Sequence, residues 1–326
     1  MERVLEWNLL GETGSCRYNE NRNHFELSGG VIMTETIIND FSERSYTLGI
    51  IYEEEGGRGL THPFFSLILN EFKIEAEAHG YDIMFMSLNK NEGEDNYIEH
   101  CRKKHMDGVC IVCADYNSPK IREFAESGIP CVTIDHMYKK VPAVMSDNET
   151  GMQKLVEYAV NNGHKKIAFV SGQNNSIVTK TRITQFCNVM KYFKLPIPEG
   201  YIREGKYDDV RLTRGIVAEL LRMPERPTCI LLPDDICYFG AREAAHDLEL
   251  RVPADISFMG YDGIPLLQSM SPKLTTIRQS TDLIGKTAVQ RLISLIENPK
   301  TANRIPSVYP IELISGGTVE NVSENS

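Results

Sequence analysis

Positive charge is in deficit along this chain. Its 35 lysines and arginines face 45 aspartates and glutamates, a net charge of −10 over 326 residues. A field of that sign does not draw a protein to DNA or to an anionic membrane, so nucleic-acid contact would need a separate basic module. Long apolar runs are also missing. Met1 to Leu10 contain none, which argues against a secretory leader, and no later stretch reaches membrane-spanning length. Catalytic signatures are equally scarce. There is no nucleophile elbow, no phosphate-cradling glycine loop ahead of a helix and no zinc motif. Asp234 and Asp235 could be an acid pair for glycoside chemistry. Adjacent residues at a helix start point in different directions, however, whereas such pairs stand about 5–10 Å apart across a sugar. The expectation is a protein that is not an enzyme and holds no cofactor and no metal.

Eight cysteines are present, scattered and partly inside apolar runs such as Val109 to Cys113. Buried free thiols in a reducing, cytoplasmic compartment are the simplest reading. Cys110 and Cys113 have CxxC spacing, but the run reads as a buried strand, without the helix start a redox motif needs. His100, Cys101 and His105 hint at a metal site; on a lysine-rich helix end they read as solvated surface.

Hydrophobic residues make up 41% and charged residues 25%, the balance of a globular chain. The length suits two α/β lobes. From Ser45 on, strand and helix signals alternate. Tyr46 to Tyr52 reads as a buried strand, and a helix follows with Pro63 in its first turn and Gly80 at its end. Phe65, Ile68, Leu69, Phe72 and Ala76 form one apolar stripe on it. Strands are expected at 81–86, 108–113, 130–134 and 143–145, with helices at 97–105 and 118–127. The pattern then restarts. Helices at 149–161, 182–194, 209–222 and 235–248 alternate with strands at 167–170, 229–232 and 256–259, with a short extended piece at 201–205. A last helix, 281–296, and one strand, 308–313, remain to be shared. Alternation of this kind implies right-handed βαβ units and mostly parallel sheets. Ligands of such sheets sit beyond the carboxyl ends of the strands. That rule singles out Tyr52, Glu53, Asp135, Pro233 to Asp235, Tyr261 and Asp262. Two facing lobes would enclose a cleft.

Several blocks then resemble one family. Asp147-Asn148-x-x-Gly151 is followed by Asn162 to Gly172, which contains Gly163-His164-Lys165-Lys166-Ile167-Ala168. Val252-Pro253-Ala254-Asp255-Ile256-Ser257 precedes Gly260-Tyr261-Asp262. Leu274 to Gln279 reads Leu-Thr-Thr-Ile-Arg-Gln, with Gly285 beyond, and His62-Pro63-Phe64-Phe65 opens the first helix. Over about residues 46–318 these blocks, in order and spacing, are similar to those of the lactose-repressor (LacI/GalR) family of transcriptional regulators. The resemblance implies two Rossmann-like lobes with parallel sheets joined by three crossovers, as in type I periplasmic binding proteins. It implies a sugar or related small molecule bound between them. Phe64, Phe65, Asp135, Ser146, Arg182, Tyr207, Asp234, Asp262 and Gln279 match its ligand positions, and Asp147, Asn148, Ile277 and Val308 its hinge. Carboxylates accept from sugar hydroxyls, a guanidinium donates two hydrogen bonds at once, and an aromatic ring covers the sugar's apolar face. Asp234 is often Asn in the family and could instead cap a helix. A homodimer is expected, and operator DNA is the partner of full-length relatives.

The expected lobes are 46–146 with 280–308, and 147–279 with 309–318, followed by a disordered tail at 319–326. Residues 1–45 depart from the family. Their four arginines face eight acids, 4 − 8 = −4, the wrong sign for phosphate contact, and Gly11, Gly14, Gly29 and Gly30 interrupt helices. No recognition helix is read there, and only a short linker helix at 34–45 is expected. Gly29-Gly30 ahead of Met33 fits a ribosome-binding site, so translation from Met33 is one hypothesis, which the mass of the native protein would decide. The rival reading is a sugar-binding protein without DNA binding, alone or serving a transporter.

Overall fold

The computed structural model describes residues 44–53, 59–88 and 96–322, together with the backbone of three N-terminal strands. The chain divides into two compact units, 1–44 and 45–326. In the first, β1 (Arg3–Leu9), β2 (Glu12–Asn19) and β3 (His24–Leu27) form an antiparallel meander. The linker helix expected at 34–45 falls almost wholly outside the described residues.

The second unit contains two six-stranded sheets. In the first sheet β4 (Thr47–Tyr52), β5 (Asp82–Met86), β6 (Gly108–Cys113), β7 (Cys131–Ile134), β8 (Ala143–Ser146) and β14 (Ser307–Tyr309) lie in the order β14-β8-β7-β6-β4-β5. All of these pairings are parallel. The second sheet is built from β9 (Ile167–Ser171), β10 (Ile202–Glu204), β11 (Cys229–Leu231), β12 (Ser257–Asp262), β13 (Thr275–Gln279) and β15 (Ile311–Ile314), in the order β10-β9-β11-β12-β13-β15. Only β15 runs antiparallel to its neighbour. The α/β architecture is the expected one.

Alternation along each strand feeds both faces of both sheets. Cys110 and Val112 pack with Leu48, Ile50 and Val144 under α1 (Pro63–Ala78) and α9 (Thr281–Glu297), while Val109 and Ile111 face Tyr97 of α2 (Tyr97–Lys103) and Phe124 of α3 (Pro119–Glu126). In the second sheet Ala168, Val170 and Ile230 meet α6 (Val210–Leu221) and α7 (Cys237–Asp247). On the other face Phe169 and Tyr261 meet Leu155 of α4 (Asn148–Asn161) and Phe186 of α5 (Ile177–Tyr192). Burying one such large side chain contributes about 1.5–3 kcal/mol. Strands apolar on both faces are what helix-covered parallel sheets require.

The chain passes between the sheets three times. It leaves β8 for α4 at Asp147, leaves β13 for α9 at Ser280, and passes from β14 to β15 at Pro310. The single strand expected at 308–313 is therefore two strands, split where proline supplies no N–H to either ladder. Ile277 and Val308, expected at the hinge, lie inside strands. The ladder Ile277↔Leu313, Arg278↔Glu312, Gln279↔Ile311 keeps the second passage in register up to Gln279, and Val308 pairs with Met145. Residues 319–322 lie against the second sheet's helices and strands, with the Glu320 N–H donating to Ser257 Oγ at 2.9 Å and the Val322 N–H to the Asn162 carbonyl at 2.9 Å. The remaining four tail residues are outside the described set.

Candidate functional site

A cavity of about 230 Å³ lies between the carboxyl ends of the two sheets. Phe64 and Phe65 enter it from the first turn of α1, which Pro63 opens. Their rings meet edge to face at 5.2 Å, and Phe65 also contacts Tyr52 at 5.7 Å and His62 at 4.8 Å. Phe64 is buried in the core and Phe65 half-buried, so the pair divides its work between packing and lining. Asp135 follows β7, Asp234 follows β11, Asp262 ends β12 and Gln279 ends β13. Arg182 projects from the second turn of α5, which begins at Ile177 behind a Ser176 cap rather than at Arg182 itself. Tyr207 comes from the loop after β10. Thus eight of the nine expected ligand residues share one cavity. Ser146 does not line it. Its hydroxyl is buried behind the wall with no hydrogen-bond partner.

Arg182 is 4% exposed. Its Nε donates to Asn148 Oδ1 at 2.8 Å and its Nη1 to the Pro233 carbonyl at 3.1 Å. The guanidinium stacks on Tyr261, 3.5 Å from the ring centroid, with Tyr207 at 5.9 Å. Two of the five donors of a guanidinium are then used, and three N–H groups remain for a ligand. The Tyr207 ring is placed by a close approach: a Cβ on Gly172 would stand 2.1 Å from its Cε2. Its hydroxyl shares a hydrogen bond of 2.9 Å with Thr179 Oγ1.

The two carboxylates facing this cation are unusual in backbone and in charge. Asp135 has φ +56° and Asp262 φ +118°, conformations an L-residue adopts at a cost of order 1–3 kcal/mol and which cluster at ligand sites. Burial pushes the Asp135 carboxyl up to about 6, against the pull of Arg182 and the Ser146 backbone N–H. Its Oδ1 has no partner. Burial, then the neighbouring Asp235, raises Asp262 well above the carboxylate range, while Arg182 opposes. Asp262 Oδ1 accepts from Gln279 Nε2 at 2.6 Å, and Gln279 Oε1 stays buried and unpartnered. Asp234 differs. Its Oδ1 accepts from the Cys237 N–H at 2.8 Å and its Oδ2 from the Asp208 N–H at 2.6 Å, so it caps α7 and ties the Tyr207 loop down while lining the cavity. Asp235 is structural. Burial pushes it up to about 8, and its oxygens accept from Thr276 Oγ1 and the Ile264 N–H.

Sequence reasoning missed Tyr116, Gln173, Asn175 and Lys206, which also line the cavity. Tyr116 and Gln173 follow β6 and β9, so the strand-end rule would have found them had it been applied to every strand. It also took Asn148 for a hinge position alone. His100 and Cys101, read as solvated surface, turn inward and are buried, because the helix they occupy packs on the first sheet with its lysines outward. Among the described residues no group of His, Cys, Asp and Glu could hold a metal ion, and no helix is long and apolar enough to cross a membrane.

Residues 45–313 match the family model of periplasmic binding proteins and the sugar-binding domain of the LacI family. The chain belongs to this family. It is 29% identical over 269 residues to the HTH-type transcriptional repressor PurR of Vibrio parahaemolyticus, which covers 81% of this chain and 79% of that one. Among solved structures it is similar to a LacI family regulator of Enterococcus faecium with bound ribose (TM-score 0.72, 21% identity, 84% of this chain and 99% of that one). A regulator from Bacillus cereus subsp. cytotoxis gives TM-score 0.77, 24% identity, and coverage of 84% and 98%. Both likenesses are of fold.

Proposed function

We propose that this chain is a LacI-type ligand-sensing regulator that takes a sugar or a related polyhydroxylated molecule into the cavity between its sheets. The observation that carries this reading is the convergence of Arg182, Asp135, Asp262 and Gln279 on one cavity walled by Phe64, Phe65 and Tyr207. Donors and acceptors of opposite kind stand side by side there, which suits paired hydroxyls, and rings suit the apolar face of a pyranose or furanose. A hydrogen bond to a charged group contributes about 1.5–3 kcal/mol, so three of them with one stacked ring reach micromolar affinity. The ribose seen in the Enterococcus faecium relative is consistent with this class of ligand.

The mechanism is a population shift. A ligand held by both walls favours the closed arrangement only to the extent that it binds that form better, and the three crossings are where the chain turns. A homodimer and a cytoplasmic location go with the reading. Light scattering tests the first. Contact with an operator is not assigned to residues 45–313. A thermal-shift panel of mono- and disaccharides, sugar phosphates and nucleobases tests the ligand class. A sugar hit that disappears in Arg182→Ala and Asp262→Ala supports it, and a folded protein with no sugar hit overturns it.

A further inference from the structure

Asn148 opens α4 at the first crossing and is 5% exposed. Its two polar atoms point opposite ways. Oδ1 accepts from Arg182 Nε at 2.8 Å, and Nδ2 donates to the Ser146 carbonyl at 3.1 Å. The Ser146 N–H in turn faces the Asp135 carboxylate. One short piece of chain, Ser146 to Asn148, therefore holds a charged group from each wall: Asp135 of the first sheet and Arg182 of the second. The crossing itself is fixed. Asp147 caps α4 by accepting from the Thr150 N–H at 2.9 Å, and its own N–H donates to the Tyr309 carbonyl of the third passage at 2.9 Å. Gly151, one turn on, serves the same guanidinium: a Cβ there would lie 2.0 Å from the hydroxyl of Tyr261, the ring under Arg182.

A buried guanidinium near two carboxylates tends to close a bidentate pair with one of them. Arg182 does not; among the described residues its hydrogen bonds go to Asn148 and Pro233. We propose that Asn148 is a positioning residue that holds Arg182 off the cavity's carboxylates and at a constant spacing from Asp135. Arg182 thereby keeps its free N–H groups turned to a ligand whether the walls are open or closed. The proposal rests on the sugar-site reading for its purpose, though not for the first readout of its test.

The test follows the Arg182 Nε–H by ¹⁵N NMR on the full chain, its signal assigned by its absence in Arg182→Lys. In the wild type this proton exchanges slowly with water. In Asn148→Leu, of similar volume, it exchanges at least tenfold faster, and in Asn148→Asp, which keeps the acceptor, it stays slow. Slow exchange in Asn148→Leu overturns the proposal, as does fast exchange in Asn148→Asp. If Asn148→Leu does not fold, Asn148→Ala takes its place under the same criterion. D-ribose titrated into the same samples is the second readout. Affinity falls at least tenfold in Asn148→Leu and is restored in Asn148→Asp; equal affinity in all three overturns the proposal. Absence of ribose binding to the wild type counts against ribose as a ligand, while the exchange rates still decide the role of Asn148.

Discussion

Replacing Asp135 by Asn should stabilise the empty protein while weakening its hold on sugar. In the folded chain this carboxyl is pushed from 3.8 up to about 6. Each pKa unit corresponds to about 1.4 kcal/mol, so the ionised carboxylate costs roughly 3 kcal/mol at pH 7.5. The sign follows from proton counting. Between 3.8 and about 6 the folded state binds more protons than the unfolded one, so this group's contribution falls as pH rises through that window. Asparagine is neutral at every pH and can still accept from the Ser146 N–H. Calorimetry at pH 7.5 should show Asp135→Asn more stable by about 3 kcal/mol, a rise in Tm of roughly 5–10 °C. At pH 4.5 the advantage should shrink to about 1 kcal/mol. Isothermal titration should show sugar binding weakened at least tenfold, the loss of one charged hydrogen bond. A Tm that drops at pH 7.5, or an advantage that does not shrink on acidification, would refute the reasoning by showing the carboxylate to be satisfied in the empty protein.

Other outcomes follow from the same geometry. Arg182→Lys should bind sugar at least tenfold more weakly despite keeping its charge, since an ammonium cannot donate to Asn148, Pro233 and a ligand in the guanidinium's fork geometry; titration calorimetry reads this. Gly172→Ala should push the Tyr207 ring into the cavity and weaken binding with little change in the denaturation midpoint. The two phenylalanines should separate. Phe64→Ala should cost about 3–5 kcal/mol of stability in urea unfolding, whereas half-buried Phe65 should lose affinity more than stability.

The sheets were legible because parallel strands under helices on both faces must be apolar throughout, and runs such as Val109 to Cys113 and Ile167 to Val170 leave no other choice. The ligand wall was legible where a polar residue ends such a run, as at Asp135 and Asp262. What the sequence hid were one local helix start and the effects of tertiary neighbours. The β-branched Ile177-Val178-Thr179 concealed the first turn of α5, which the Ser176 cap secures. The hold that Asp234 has on the Tyr207 loop depends on the Asp208 N–H, 26 residues away in sequence. Asn148 next to Asp147 looks like the start of a helix, and only the folded chain brings the Arg182 side chain to it.

The way the last strands are shared has a consequence for how the protein is made. Residues 46–146 leave the ribosome before the second sheet, yet the face of their sheet formed by Leu48, Ile50 and Val144 is covered in part by α9, which is synthesised after the whole second sheet except β15. Glu75 meets its partner Gln290 across 215 residues. Contacts so distant in sequence form slowly, and apolar surface waiting for them is exposed to aggregation. The first sheet is completed only when the α9 and β14 segments arrive, so a chain stopped at Ser280 would present to chaperones and proteases an apolar sheet face covered by α1 alone.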